Sequence, residues 1–86
     1  MPELSRFYGI VVRMYFRDHA PPHFHAFYGG DEVVVDIQQL AAMEGGLPPR
    51  AFGLVIEWAA VHRQELLAAW ERASHSESPG KVDPLP

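Results

Sequence analysis

Apolar and polar residues alternate along the first part of this chain and recur at helical spacing in its later part. In residues 7–17, FYGIVVRMYFR, Ile10, Val12, Met14 and Phe16 fall on one side of an extended backbone. Val11, Arg13, Tyr15 and Arg17 fall on the other, which predicts a half-buried strand. Asp18–Pro22 ends it, because Pro21 and Pro22 bring no N–H to a ladder. His23–Tyr28 reads as a second strand that stops at the turn signal Gly29-Gly30-Asp31. Glu32–Gln38 alternates again, with Val33, Val35 and Ile37 opposite Val34, Asp36 and Gln38. Short connections make these strands an antiparallel meander with one covered face. Leu40–Gly46 reads as a fourth small strand or a turn of helix.

Pro48-Pro49 opens the longest predicted element, one helix running to about Ala73, since proline suits the first helical turn. Ala51, Leu54, Val55, Trp58, Val61, His62, Leu66, Ala69 and Trp70 form the face expected on the sheet. Arg50, Glu57, Gln64 and Glu71 recur every seven residues as a solvated ridge. Gly53 costs roughly 1 kcal/mol against alanine inside a helix, so it is expected where the helix approaches the sheet closely. Phe52, Ile56, Ala60 and Leu67 add a second apolar stripe, more than one sheet can cover. A homodimer through this helix, or a protein partner, is the expectation. Ser74–Pro86, SHSESPGKVDPLP, is polar and proline-rich and reads as a flexible tail in which Val82 and Leu85 can dock and His75 is solvated. Residues 1–73 then form a single α+β domain: a three- to four-stranded meander followed by one long helix.

Composition narrows the chemistry. The 86 residues contain no cysteine, which excludes disulfides, thiolate metal sites and a cysteine nucleophile. No apolar run reaches the ~18 residues of a membrane span and the start has no signal-peptide layout, so no membrane partner and a cytoplasmic location are expected. The net charge of −4 argues against holding nucleic acid by bulk charge. That charge is uneven. Arg6, Arg13 and Arg17 face only Glu3 in residues 1–17, which leaves a weakly basic strand ahead of an acidic remainder.

Three of the five histidines lie within seven residues, in Asp18-His19-Ala20-Pro21-Pro22-His23-Phe24-His25. On a strand, His23 and His25 share a face, and the Pro-Pro corner can fold His19 back towards them. Three readings follow. As a metal site, His-x-His with His19, Asp18 or Asp36 as third ligand suits a divalent transition metal such as zinc. A cupin-type glutamate is not at its usual spacing: Glu32 comes six intervening residues after His25. As a metal-independent site with no cofactor, His19, His23 and His25 would exchange protons while Arg13 and Arg17, with Tyr15 between them, stabilise the charge that develops on a cleaved RNA phosphodiester. Single-stranded RNA could then stack on Tyr15, Phe27 or Tyr28. As a structural or partner-binding corner, the imidazoles cap carbonyls around a Pro-Pro turn that can hold a cis bond, and Arg13 pairs across strands with Asp36 or Glu32. His62, at the border of the helix stripe, reads as a core-edge residue.

The strings SRFYGIVVRMYFRDHAPPHFHAFYGGDEVVVDI and GGLPPRAFGLVIEWAAVHRQELLAAWERA closely resemble the bacterial family known as domain of unknown function 4160, from Ser5 to about Ala73. Its motif falls here on Arg13, Tyr15, Asp18, His19, Pro21, Pro22, His23, His25, Tyr28 and Gly29. The resemblance implies a stand-alone bacterial domain encoded beside a second small protein, in pairs that look like toxin–antitoxin modules. It implies no activity. On this basis the chain is expected to be one component, the toxin, of such a pair; if that toxin is an enzyme, the residues point to RNA cleavage by His19, His23 and His25 with Arg13 and Arg17. The alternative is a non-enzymatic protein-binding module, or a metal-binding domain that uses the same histidines.

Overall fold

The computed structural model describes residues 2–86. Five strands, β1 (Glu3–Phe7), β2 (Ile10–Arg13), β3 (His23–Tyr28), β4 (Asp31–Asp36) and β5 (Ala41–Gly45), precede two helices, α1 (Pro49–Val61) and α2 (Arg63–Ser74). The strands form one antiparallel sheet in sequence order, β1-β2-β3-β4-β5. The α+β class and the meander agree with the sequence pattern. The number of strands and helices does not.

The predicted first strand, residues 7–17, is in fact the end of β1, a turn, β2 and part of a loop. Phe7 pairs with Ile10, leaving Tyr8 and Gly9 as a two-residue loop, both at positive φ (51° and 79°). That is the backbone a tight hairpin needs, and it twists with the strands it joins. A tyrosine rarely occupies such a position, so the alternation runs through the turn unbroken. Beyond Arg13 the chain leaves the ladder, and Phe16, expected on the covered face, is 46% exposed. At the other end, Leu40–Gly46 resolves as a strand: β5 is a solvent-exposed edge held on β4.

The single long helix expected from the sequence is broken at His62, which leaves helical geometry (φ −108°, ψ 21°) between α1 and α2. The buried residues Ala51, Val55, Trp58 and Ala59 of α1 continue as Leu66, Ala69, Trp70 and Ala73 of α2. Ala59 to Leu66 is a seven-residue step, so the apolar stripe keeps its phase across the break and conceals it. Two details of the predicted face change. Val61 is 71% exposed. Gly53 is also exposed, and a Cβ placed on it would meet nothing within 4 Å, so no close approach to the sheet explains it.

The pairings Val12–Ala26, Ala26–Val33 and Phe24–Val35 put these buried residues on the helix-covered face. Trp58 is its centre, with its ring 5.3 Å from Phe7 and edge-on to Phe24 at 5.7 Å. The other face displays Val11, Arg13, His25, Phe27, Glu32, Val34 and Glu44. The tail runs back over β1 and α1: Val82 N–H donates to Leu4 O (2.9 Å), Trp58 Nε1–H to Asp83 O (2.7 Å) and Lys81 Nζ to Glu3 O (2.9 Å). Tyr8 OH donates to Pro86 O. Val82 and Pro79 are buried and Leu85 partly so, which is the local docking the sequence allowed.

Candidate metal centre

The loop between β2 and β3 is pinned at both ends. Arg17 N–H donates to Ala73 O of α2 (3.1 Å), and Ile37 N–H donates to Pro22 O (3.0 Å), extending the β3–β4 pairing. Between them the Ala20–Pro21 peptide is cis. Asp18 Oδ1 accepts the His19 amide (2.8 Å), which turns the carboxylate's second oxygen towards the start of β3.

There it meets two imidazoles. His23 Nε2 lies 2.9 Å from Asp18 Oδ2, and His25 Nε2 lies 3.6 Å from the same oxygen. One ligand atom from each of Asp18, His23 and His25 can be chosen so that all three lie within 4.8 Å of one another. His23 is 7% exposed, with its ring 5.0 Å from Trp70 and 5.4 Å from His25. His25 is flanked by Tyr15 at 4.3 Å and stacked at 6.5 Å with Phe27.

The distal nitrogens are already committed. His23 Nδ1 is 2.8 Å from Pro21 O, and His25 Nδ1 is 2.8 Å from Glu32 Oε2. An oxygen acceptor at that distance requires N–H on Nδ1. The Nε2 atoms of both rings therefore face the Asp18 carboxylate, and in the ion-free protein the 2.9 Å His23 Nε2–Asp18 Oδ2 contact is a hydrogen bond with a proton between the two atoms, a place that an ion could take. His25 Nε2 is buried and has no hydrogen-bond partner. Burial pushes the Asp18 carboxyl up, but the His19 amide and the His23 and His25 rings outweigh it and hold the group below its ordinary value.

Of the sequence-predicted residues, the structure brings together His23, His25, Tyr15 and Arg13. Arg13 faces His25 across β2 and β3, and its guanidinium lies over Phe27 at 5.7 Å. The cross-strand ion pair expected for Arg13 is not formed among the described residues: Glu32 engages His25, and Asp36 Oδ1 accepts the Gln38 and Gln39 amides. His19 and Arg17 are exposed and lie outside the cluster; Asp18 takes the third place. His62, at the helix break, pairs with Glu65 (2.6 Å).

Glu32, expected from the sequence as a partner of Arg13, serves His25 instead, a role that sequence reasoning missed. The signal was there: with Gly29-Gly30 as a two-residue loop, Tyr28 faces Asp31, Phe27 faces Glu32 and His25 faces Val34. Glu32 is therefore a diagonal neighbour of His25 on the same face.

The arrangement lies inside a matched segment. Residues 9–71 match the family model described as Domain of unknown function (DUF4160). The chain belongs to this family. The match spans Arg13 through His25 and Glu32, so the whole cluster is within it, whereas all of β1 and the tail are outside. No curated protein and no solved structure matches the chain significantly. Among the described residues, no helix is long and apolar enough to cross a membrane.

Proposed function

We propose that this domain binds a divalent transition metal through Asp18 Oδ2, His23 Nε2 and His25 Nε2. The observation that carries the reading is the commitment of both Nδ1 atoms to oxygen acceptors, which leaves the two Nε2 atoms and a carboxylate oxygen as the ligand atoms facing one another. Metal-bound histidines commonly donate their other N–H to a carbonyl or carboxylate, and Pro21 O and Glu32 stand in those places. Bonds of ~2.0–2.1 Å to a tetrahedral ion separate its ligand atoms by roughly 3.3 Å. The separations of 2.9 and 3.6 Å bracket that value. Two histidines and one carboxylate suit zinc or non-haem iron, with coordination positions to spare.

The test is uptake by chelator-treated protein. Zinc at one equivalent per chain, measured by elemental analysis and calorimetry, is expected. Loss of binding is expected in Asp18→Asn and His25→Ala, with His19→Ala unaffected. A folded wild-type protein that takes up no zinc, cobalt, nickel or iron would overturn the reading, as would a His19→Ala variant as impaired as His25→Ala.

RNA cleavage by the toxin of a toxin–antitoxin pair draws on the same imidazoles but asks for His19 and Arg17 beside them, so the geometry favours the metal. A partner protein, either a second copy or a neighbouring gene's product, is a separate matter. The exposed Val61 and the partly buried Phe52, Ile56 and Leu67 support one at the helices. Co-purification and light scattering test it; a monomer indifferent to that product would count against it.

A further inference from the structure

We propose that the metal centre is a receptor for an oxyanion, a carboxylate or a phosphate, which takes an open coordination position and is held by Arg13 and Tyr15. This inference rests on the metal-binding reading above and assigns it a ligand class.

Three protein donors leave at least one position free on a four-coordinate ion and more on a six-coordinate one. The surroundings of His25 on its face of the sheet decide what suits that position. Towards β4 and β5 lies a shallow groove of about 250 Å³ lined by His25, Glu32, Val34, Glu44 and Gly45. Its two carboxylates repel an anion. Towards β2 stands a cation, with the Glu3 carboxylate on its far side already paired with Arg6. Arg13 is the residue opposite His25, and Tyr15 packs on the His25 ring.

Acidic groups outnumber basic ones by four in this chain, and of the two arginines whose Nε is buried without an acceptor, Arg13 and Arg63, it is Arg13 that stands opposite His25. Among the described residues it makes no ion pair, and its Nε is closed off from solvent without an acceptor. The Phe27 face fixes the guanidinium beside the cluster. A partly desolvated, unpaired guanidinium gains most from an oxyanion, which it receives through charge-assisted hydrogen bonds in a fork geometry. Tyr15 adds a neutral donor. Its phenolic O–H stands on the His25 ring, where it can donate to an oxyanion oxygen.

The experiment uses the full chain loaded with Co²⁺, whose visible spectrum reports exchange of a coordinated ligand. Sodium acetate and inorganic phosphate are titrated separately. Wild-type protein is expected to change its spectrum with at least one of them, and the preferred anion distinguishes a carboxylate ligand from a phosphate ligand. Arg13→Met, which keeps the aliphatic stem on Phe27, is expected to weaken that anion by about tenfold or more, as loss of a charge-assisted hydrogen bond implies. Its Co²⁺ affinity should stay unchanged. Arg13→Lys, a second variant should the first fail to fold, is expected to fall between the two. A wild-type protein that binds Co²⁺ but ignores both anions overturns this inference alone, as does an Arg13→Met variant that binds the anion like wild type. A wild-type protein that binds no Co²⁺ overturns the metal reading and this one with it.

Discussion

The indole of Trp70 lies 5.0 Å from the His23 imidazole, with the two planes inclined at 49°. Through this contact α2 walls the cluster from behind, and Arg17 N–H on Ala73 O ties the Asp18 loop to the same helix. Core packing and site geometry are therefore coupled. Replacing a buried tryptophan by alanine costs about 3–5 kcal/mol. Trp70→Ala is expected to lose stability on that scale in urea denaturation and to weaken zinc binding in proportion to the lost order of His23. Trp70→Phe should keep most of both. Full zinc affinity in a destabilised Trp70→Ala would show that the wall is not needed.

Asp18 predicts an acid dependence of the metal-free protein. Its carboxyl is held below the ordinary value of 3.8, so folding favours its charged form. A lowered folded-state value contributes stability that is complete above the unfolded value and is lost as pH falls through the folded one. In chelator, wild type should exceed Asp18→Asn in stability at neutral pH, and the gap should close below pH 3.8. Denaturant midpoints taken across that range check it; a gap independent of pH would contradict the assignment.

Gly45 sits at φ +66° on β5, where an added Cβ would lie 2.2 Å from Glu32 O. Backbone, not a flexible side chain, stands in the way. Gly45→Ala combines that clash with a left-handed backbone and should cost more than about 1 kcal/mol. Because Glu32 orients His25, the variant should also lower metal affinity, whereas Gly30→Ala, with open space around it, should not. Thermal melts and zinc titrations of the two variants make the comparison.

Truncation after Glu77 removes the buried Pro79 and Val82 and the acceptor of the Trp58 indole. Burial of Val82 with its hydrogen bond to Leu4 O and that of Trp58 to Asp83 O supplies roughly 2–4 kcal/mol, before the more exposed contacts of Lys81 and Pro86 are counted. The shortened chain should lose stability on that scale, and so melt at lower temperature, yet bind zinc with wild-type affinity once folded, because no ligand lies in the tail. An unchanged melting curve would mean that the tail's contacts contribute nothing.

Period-2 and helical patterns sufficed to place the β3–β4 hairpin, the covered face through Val12, Phe24, Val33 and Val35, and a C-terminal helical region. These are consequences of local sequence: alternation fixes which side chains share a face, and Gly29-Gly30 fixes the register that follows. The Tyr8–Gly9 turn and the break at His62 were not legible, because the first uses an atypical residue and the second leaves the apolar phase intact. At the site, the sequence concentrated histidines on one Pro-Pro corner without saying which would converge. His19 precedes that corner and stays exposed, while Asp18 beside it turns inward on the His19 amide.

By itself, then, the sequence determined an α+β meander, a cysteine-free acidic domain and a His-x-His pair on one strand face. Tertiary structure decided the rest of the centre. Asp18 arrives by a loop anchored to α2, Glu32 by cross-strand register, and Trp70 from a helix far along the chain. Such contacts depend on how separate elements pack and not on the order of neighbouring residues, so no local pattern encodes them. The same holds for Arg13, whose expected carboxylate partners are drawn elsewhere by the sheet and the turn, leaving its charge beside His25.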